Sequence, residues 1–188
     1  GYTPYTIPED QLPEGPNDFV KSDNTVFHWR PGQTKNKDGK QLADGDVATE
    51  GAIIPDAFGA DSAGDLVREG GPSNVGERIT YSTDHHPLSS DSGSLYWSDP
   101  AGKASMAEFR SKEGAAINKV DTSAGYTFES FVKIPKDFNG SEHGWGSALS
   151  RDSSIAELVD GSDDTDPTVM FGISNLRELR WWAEPKEG

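Results

Sequence analysis

The sequence predicts an all-β protein built as an antiparallel β-sandwich. Glycine (21 residues) and proline (12 residues), with many Ser, Asp and Asn residues, place a turn signal about every ten residues. Short apolar segments lie between these turns, and the clearest of them, Tyr126–Ile134, alternates apolar with polar positions. This spacing favours short strands joined by tight turns and disfavours long helices.

The 188 residues fit one large β domain that follows an arm. Residues 1–24 contain four prolines and little alternation, which indicates an extended N-terminal arm. Residues 25–188 are expected to form a single sandwich. Within it, the segment Gln33–Gly51 is charged and rich in glycine, so we expect a long surface loop there.

The alternation of Tyr126–Ile134 places Phe128, Val132 and Ile134 on one face, which we expect to be buried between two sheets; Pro135 ends this strand. Residues 106–110 fit either a strand or a helical turn, and periodicity does not decide between them. The other expected strands are Thr25–Trp29, Ala52–Ile54, Leu66–Val67, Arg78–Tyr81, Ser94–Trp97, Ala116–Ile117, Thr168–Ile173 and Leu179–Ala183.

The composition is strongly acidic, with 32 Asp and Glu residues against 17 Lys and Arg residues and a formal net charge of −15. Such a field repels a phosphate backbone, so nucleic acid is excluded as a partner. It is compatible with simple solubility, with divalent cations or with a basic partner surface. The absence of cysteine excludes disulfides, thiolate metal sites and thiol nucleophiles. No apolar run approaches the roughly 20 residues of a transmembrane helix.

Several segments follow one another in a recognisable order. Phe27-His28-Trp29 precedes a long aspartate-rich turn from Asp56 to Asp65, which leads into Leu66-Val67. The stretches Gly125–Pro135, His143–Arg151 and Gly172–Trp181 come later, together with His86-Pro87-Leu88 and Ser94–Trp97. This succession resembles the laminin-G-like jelly roll of the concanavalin A-like lectin and glucanase superfamily. It is similar in particular to the laminin-G-like regions attached to secreted actinobacterial metallophosphoesterases.

The resemblance implies an antiparallel jelly roll, a secreted or cell-envelope location, and a role accessory to an enzyme. The phosphoesterase ligand motifs Gly-Asp-x-His and Gly-Asn-His do not occur in this sequence, so we expect any catalytic domain to lie outside it. Family members continue with further strands that this sequence does not contain after Ala183. We therefore expect a second polypeptide or a further C-terminal segment to complete the sandwich.

A candidate ligand surface follows from the alternation in Leu179–Ala183, which sends Arg180 and Trp182 to the face opposite Leu179 and Trp181. Aromatic rings pack on sugar rings while polar neighbours bind hydroxyl groups. The candidate ligand-binding residues are Trp182, Arg180, Trp145, His143 and Arg151, and the ligand is a glycan or a protein partner. Packing in the core remains the alternative for each tryptophan.

A candidate calcium site lies between Asp160 and Asp166, where four carboxylates occur within seven residues. Closely spaced oxygen ligands are what Ca²⁺ requires. The alternative is a solvated acidic loop. A separate motif, Asp84-His85-His86, is better explained by a turn with two solvent-facing histidines than by a metal site. The candidate metal ligands are Asp160, Asp163, Asp164 and Asp166.

Three functions remain open. The first is a non-catalytic binding module, and the second is a structural or assembly subunit that docks onto a larger envelope complex. The third is a glycoside or phosphoester hydrolase, which has less support because no expected strand carries paired carboxylates of the Glu-x-Asp-x-Glu kind.

Overall fold

A computed structural model describes residues 22–58, 62–69, 79–97, 108–112, 114–120, 125–136, 146–152, 167–174, 176 and 178–183. The helical segments in these ranges are short 3₁₀ turns at Pro31–Gln33, Ser62–Gly64 and Ala116–Lys119. None of the helical segments in these ranges has the length and apolar composition needed to cross a bilayer. The strands are β1 (Ile53–Ile54), β2 (Leu66–Glu69), β3 (Ile79–Ser82), β4 (Ser94–Trp97), β5 (Glu108–Ser111), β6 (Gly146–Asp152), β7 (Pro167–Ile173) and β8 (Leu179–Ala183).

The eight strands form three sheets in which every pairing is antiparallel. The sheet orders are β1-β2-β5, β3-β4 and β6-β7-β8. The chain divides into two compact units, the first containing β1 to β5 and ending at Thr127, and the second containing β6 to β8. Over the described residues the prediction of an all-β, antiparallel protein is confirmed.

The core of the first unit combines side chains from both of its sheets. Ile79 and Tyr81 alternate inward along β3, with 0% and 5% of their surfaces exposed. Their burial follows the two-residue period of a strand that has one face against the core. The remaining members of the cluster are the buried Leu42, Ala48 and Ala52 and the partly buried Leu95 and Phe109.

The segment Gln33–Gly51 is irregular and mostly exposed, as predicted for a surface loop, but a few of its residues also contribute to this core. Thr34 and Ala48 within it are fully buried. The segment also forms isolated bridges to Ile53 of β1 and to Thr80 of β3. Its main chain therefore connects two sheets, a role that its polar composition does not predict.

A set of hydrogen bonds around Gly32 joins distant parts of the first unit, and we call it the Gly32 junction. The Tyr81 hydroxyl and the Gln41 side-chain amide both donate to the Gly32 carbonyl, over 2.9 and 3.1 Å. The Gly32 amide donates to the Asp91 carboxylate over 2.8 Å. A Cβ placed on Gly32 would collide with that carboxylate, so the close approach requires glycine here.

Most of the expected strands are present. The segments predicted at 52–54, 66–67, 78–81, 94–97, 168–173 and 179–183 correspond to β1, β2, β3, β4, β7 and β8, and the described part of the undecided segment at 106–110 belongs to β5. Three strand predictions are wrong, two of them outside the long segment Tyr126–Ile134. Ala116–Ile117 begins a 3₁₀ turn, and Thr25–Trp29 contributes only one bridge, between Trp29 and Asp56.

The strand predicted at Tyr126–Ile134 is also absent, although the whole segment is described. Val132 is 42% exposed, and Phe128 and Ile134 are only partly buried, so the expected burial of these three side chains is wrong. Alternation assigns residues to two faces, but a strand also needs a neighbouring strand to satisfy its backbone. The arm expected over residues 1–24 lies outside the described residues except for 22–24.

Candidate functional site

The hairpin of β7 and β8 positions the most exposed apolar side chains of the second unit. The Ser174 side chain closes its turn, because the Ser174 hydroxyl accepts hydrogen bonds from the amides of Leu176 and Glu178 over 3.1 and 3.3 Å. The Ser174 amide in turn donates to the Glu178 carbonyl over 2.9 Å. Ser174 is 1% exposed, so the turn is anchored from inside.

Leu179 and Trp181 lie two residues apart on β8 and share one face; together we call them the β8 apolar surface. They are 63% and 49% exposed, and Leu176 in the preceding turn is 73% exposed. Trp181 pairs with Phe171 of β7, and the two ring centroids are 5.9 Å apart. The ring centroid of Phe128 also lies 5.9 Å from that of Phe171. Trp181 is thus supported by Phe171, which in turn contacts Phe128, while about half of the Trp181 surface remains accessible.

The backbone of β8 also lies at the edge of its sheet. In the order β6-β7-β8, its one neighbour among the described strands is β7. A strand in this position can accept a further strand, since alternate N–H and C=O groups point away from the sheet.

Only part of the predicted ligand surface lies within the described residues. Arg180 is exposed and pairs with Gly172, whereas the backbone of Arg151 pairs with Val169. Gly172 and Val169 are three positions apart on β7. Because strand positions alternate with a period of two, the backbone pairings do not place Arg180 and Arg151 at equivalent positions of the sheet. Trp182 pairs with Met170. Of the other predicted residues, His143 and Trp145 and the metal candidates Asp160, Asp163, Asp164 and Asp166 lie outside the described residues.

Trp181 is the functional candidate that the sequence reasoning did not select. Alternation places Trp181 and Trp182 on opposite faces, and the sequence analysis selects Trp182 as the ligand-binding residue. Alternation within β8 does not indicate which of its two faces another strand or sheet covers, so no local signal in the sequence identifies Trp181 as exposed.

A second feature is a small cleft in the first unit, which we call the Phe27 cleft. Its volume is about 140 Å³. Phe27 is stacked on Trp29 with 3.7 Å between the ring centroids, and the Trp29 indole N–H donates to the Gly64 carbonyl over 2.7 Å. These contacts hold one wall in place. The lining residues are Val26, Phe27, Asp56, Phe58, Ala63, Gly64, Ala116 and Ile117.

Among the described residues that line the cleft, Asp56 is the one ionisable residue. Its Oδ1 accepts hydrogen bonds from the amides of His28 and Phe58, over 2.9 and 3.0 Å. Its own amide donates to Asp65 Oδ1 over 2.9 Å, so the aspartate-rich turn folds around Asp56. A Cβ on Gly64 would collide with Asp56 Oδ2, which places this second oxygen against the bare glycine at the cleft wall.

No protein-family model, curated protein or solved structure matches the chain. The functional argument therefore depends on the geometry of the β8 apolar surface and of the Phe27 cleft. Among the described residues, no group of three or more His, Cys, Asp or Glu residues is arranged to hold a metal ion.

Asp84-His85-His86 leads into a turn at residues 87–88, which the Ser89 amide closes by donating to the His86 carbonyl over 2.8 Å. His85 and His86 are both exposed. The His85 ring is bonded through Nδ1 to the Thr83 carbonyl over 2.9 Å, and His86 Nδ1 accepts the Leu88 amide over 3.1 Å. Each imidazole is thus used in local turn geometry, and the prediction of two solvent-facing histidines in a turn is confirmed.

Proposed function

We propose that the chain is a non-catalytic binding module, and that it holds an extended, apolar and basic segment of a partner protein along β8. The observation that carries the proposal is the half-exposed Trp181, which is supported by Phe171 on an edge strand. A supported aromatic ring loses little entropy when a partner covers it, which is why tryptophan is prominent at binding hot spots.

The side chains around Trp181 favour a protein over a glycan. Sugar sites combine rings with polar groups, whereas Leu179 on the same face of β8 and Leu176 in the preceding turn are apolar and 63% and 73% exposed. Aliphatic side chains of a peptide would cover these leucines, and its backbone would bond to the edge of β8. The net charge of −15 favours a basic segment.

A peptide-display selection on the full chain tests this function. Peptides that bind the wild-type chain should bind Trp181→Ser at least about 30-fold more weakly, the effect expected of a hot-spot tryptophan. Trp97→Ser is the matched control because Trp97 on β4 is 48% exposed and also packs on a phenylalanine, Phe109. Equal losses in the two variants, or no enriched peptide, would contradict the proposal.

A glycan is the second candidate ligand, and it rests on the half-exposed ring of Trp181, because sugar rings pack on accessible aromatic rings. A glycan array distinguishes it from the peptide. Binding that depends on Trp181, with no peptide enriched, would favour the glycan. Turnover of a chromogenic glycoside or phosphate ester would instead favour the hydrolase.

The finer parts of the proposal come from the resemblance of the sequence to laminin-G-like jelly rolls. They are a jelly-roll sandwich, a location outside the cytoplasm, attachment to a secreted enzyme such as a metallophosphoesterase, and calcium at Asp160, Asp163, Asp164 and Asp166. The antiparallel sheets support the jelly roll in outline. A melting temperature that does not respond to Ca²⁺ would remove calcium from this proposal.

An assembly subunit would use the same surface permanently. Native mass spectrometry of the purified protein separates this alternative from a reversible binding module. A permanent partner retained at stoichiometric amounts would favour assembly, while a chain that purifies alone and binds peptide reversibly would favour the module.

A further inference from the structure

We propose that the Phe27 cleft is a second binding site, which accepts the side chain of a lysine from a partner protein. The site lies in the first unit and does not depend on the function proposed for the β8 apolar surface. Its walls are apolar or aromatic, and Asp56 supplies one carboxylate.

The volume of the cleft limits the size of its occupant. A cavity of about 150 Å³ holds one benzene molecule, whereas pockets that enclose whole small-molecule ligands span about 300–1,000 Å³. At about 140 Å³ the Phe27 cleft is large enough for one side chain and too small for a complete sugar or cofactor. An anchor residue of a larger partner fits this size.

The hydrogen bonding of the Asp56 carboxylate indicates the charge of the occupant. Oδ1 is already engaged by two backbone amides, and within the described part of the chain no donor is bonded to Oδ2. Because Phe27 and Phe58 also line the cleft, a cation there would interact both with the carboxylate and with aromatic rings. The net charge of −15 would attract such a group from a distance.

Lysine satisfies these conditions better than arginine does. A guanidinium group binds a carboxylate best when both oxygens accept its paired N–H groups. Oδ1 of Asp56 is occupied, so one oxygen remains, and a compact ammonium at the end of a four-carbon stem needs only one. The stem would lie against the apolar residues Val26, Ala116 and Ile117.

The test uses two capped tripeptides, acetyl-Gly-Lys-Gly-amide and the same peptide with norleucine in place of lysine, added to the ¹⁵N-labelled full chain. Amide shifts of Phe58 and Ile117 and the indole signal of Trp29 report on the cleft. We expect the lysine peptide to bind with a Kd on the order of 1 mM, and the norleucine peptide at least about tenfold more weakly. An arginine peptide should also bind more weakly than the lysine peptide.

Two variants test the role of each part of the site. Asp56→Asn keeps an oxygen that can accept the two backbone amides but removes the charge, so lysine binding should fall to the norleucine level. Ala116→Phe, at an exposed position of the lining, should abolish binding of both peptides. The matched controls are Asp38→Asn and Ala43→Phe, which change exposed residues outside the cleft and should leave both Kd values unaltered.

The proposal is overturned if lysine and norleucine peptides bind equally or if Ala116→Phe binds as the wild type does. Because Ala116 is exposed, this variant remains informative even if Asp56→Asn fails to fold. Free n-butylammonium separates the two sources of an ammonium group. If it shifts the cleft signals while the lysine peptide does not, the occupant is a free amine and a partner's lysine is excluded.

Discussion

The hydroxyl of Tyr81 donates a hydrogen bond of 2.9 Å to the carbonyl oxygen of Gly32, 49 residues earlier in the chain. This contact links β3 to the 3₁₀ turn at Pro31–Gln33 inside the core of the first unit. Tyr81 is 5% exposed, so water cannot easily replace the hydroxyl as a donor.

Tyr81→Phe should lower the free energy of unfolding by about 1–2 kcal/mol, because it removes a buried hydrogen bond and leaves the ring in place. Urea denaturation of the full chain measures this change. Tyr96→Phe is the control, since Tyr96 is 48% exposed, and it should alter stability by less than about 0.5 kcal/mol. Similar losses in the two variants would show that the Gly32 contact contributes nothing specific.

Gly93 lies close to the same hydroxyl. A Cβ at this position would lie 2.5 Å from the Tyr81 oxygen and 2.7 Å from the backbone oxygen of Ser82. Gly93→Ala should therefore reduce the unfolding free energy by about 2–3 kcal/mol through steric overlap in the core.

Gly39→Ala provides the comparison for Gly93. Gly39 has a φ of 83° but no atom within 4 Å of the added Cβ, so the change costs only the strain of a left-handed backbone, about 1 kcal/mol. A larger loss for Gly39→Ala than for Gly93→Ala, measured by the same denaturation, would contradict the packing around Tyr81.

Arg68 is a charged side chain buried in β2, with 1% of its surface exposed. Burial lowers the pKa of its guanidinium, while the carboxylates of Glu50 and Glu108 act in the opposite direction. The group nevertheless remains charged at neutral pH. Arg68→Ala should cost about 3 kcal/mol, because it leaves a cavity and removes the positive charge that faces the two glutamates.

Arg68→Met should cost much less, about 1 kcal/mol or below, since it keeps most of the volume and removes the desolvation of a charge. Thermal unfolding of both variants gives the order. Arg110→Met serves as the control: the Arg110 side chain is 54% exposed in its 2.7 Å ion pair with Glu108, so its loss should be small. If Arg68→Met is as damaging as Arg68→Ala, the hydrogen bonds of the guanidinium matter more than its volume.

Local pattern predicted the strands whose partners are close in sequence. Ser94–Trp97 forms β4 with the predicted bounds, paired with β3, and Leu179–Ala183 forms β8, paired with β7 across a short turn. In the β7–β8 hairpin the short turn helps to fix the register, and in both pairs the partner strand is the next one along the chain, so alternation within each segment is sufficient.

The failures involve contacts between distant residues. Tyr126–Ile134 alternates apolar and polar residues as a strand does, but this local pattern does not provide a neighbouring strand for backbone hydrogen bonds. The composition of Gln33–Gly51 predicts a loop, but it does not show that the backbone of this loop pairs with β1 and β3. The Phe27 cleft likewise combines residues from four separate segments of the chain, and no sequence motif predicts that these segments lie together.

Amide hydrogen exchange tests most directly whether β8 is the binding edge. A peptide selected on the wild-type chain is added at saturation, and exchange is compared over Leu179–Ala183 and over Ser94–Trp97, which also presents exposed aromatic residues. We expect slower exchange across β8 and no change across β4, because the added backbone would bond to the β8 edge. Protection of β4, or exchange in β8 that the peptide leaves unchanged, would contradict the account.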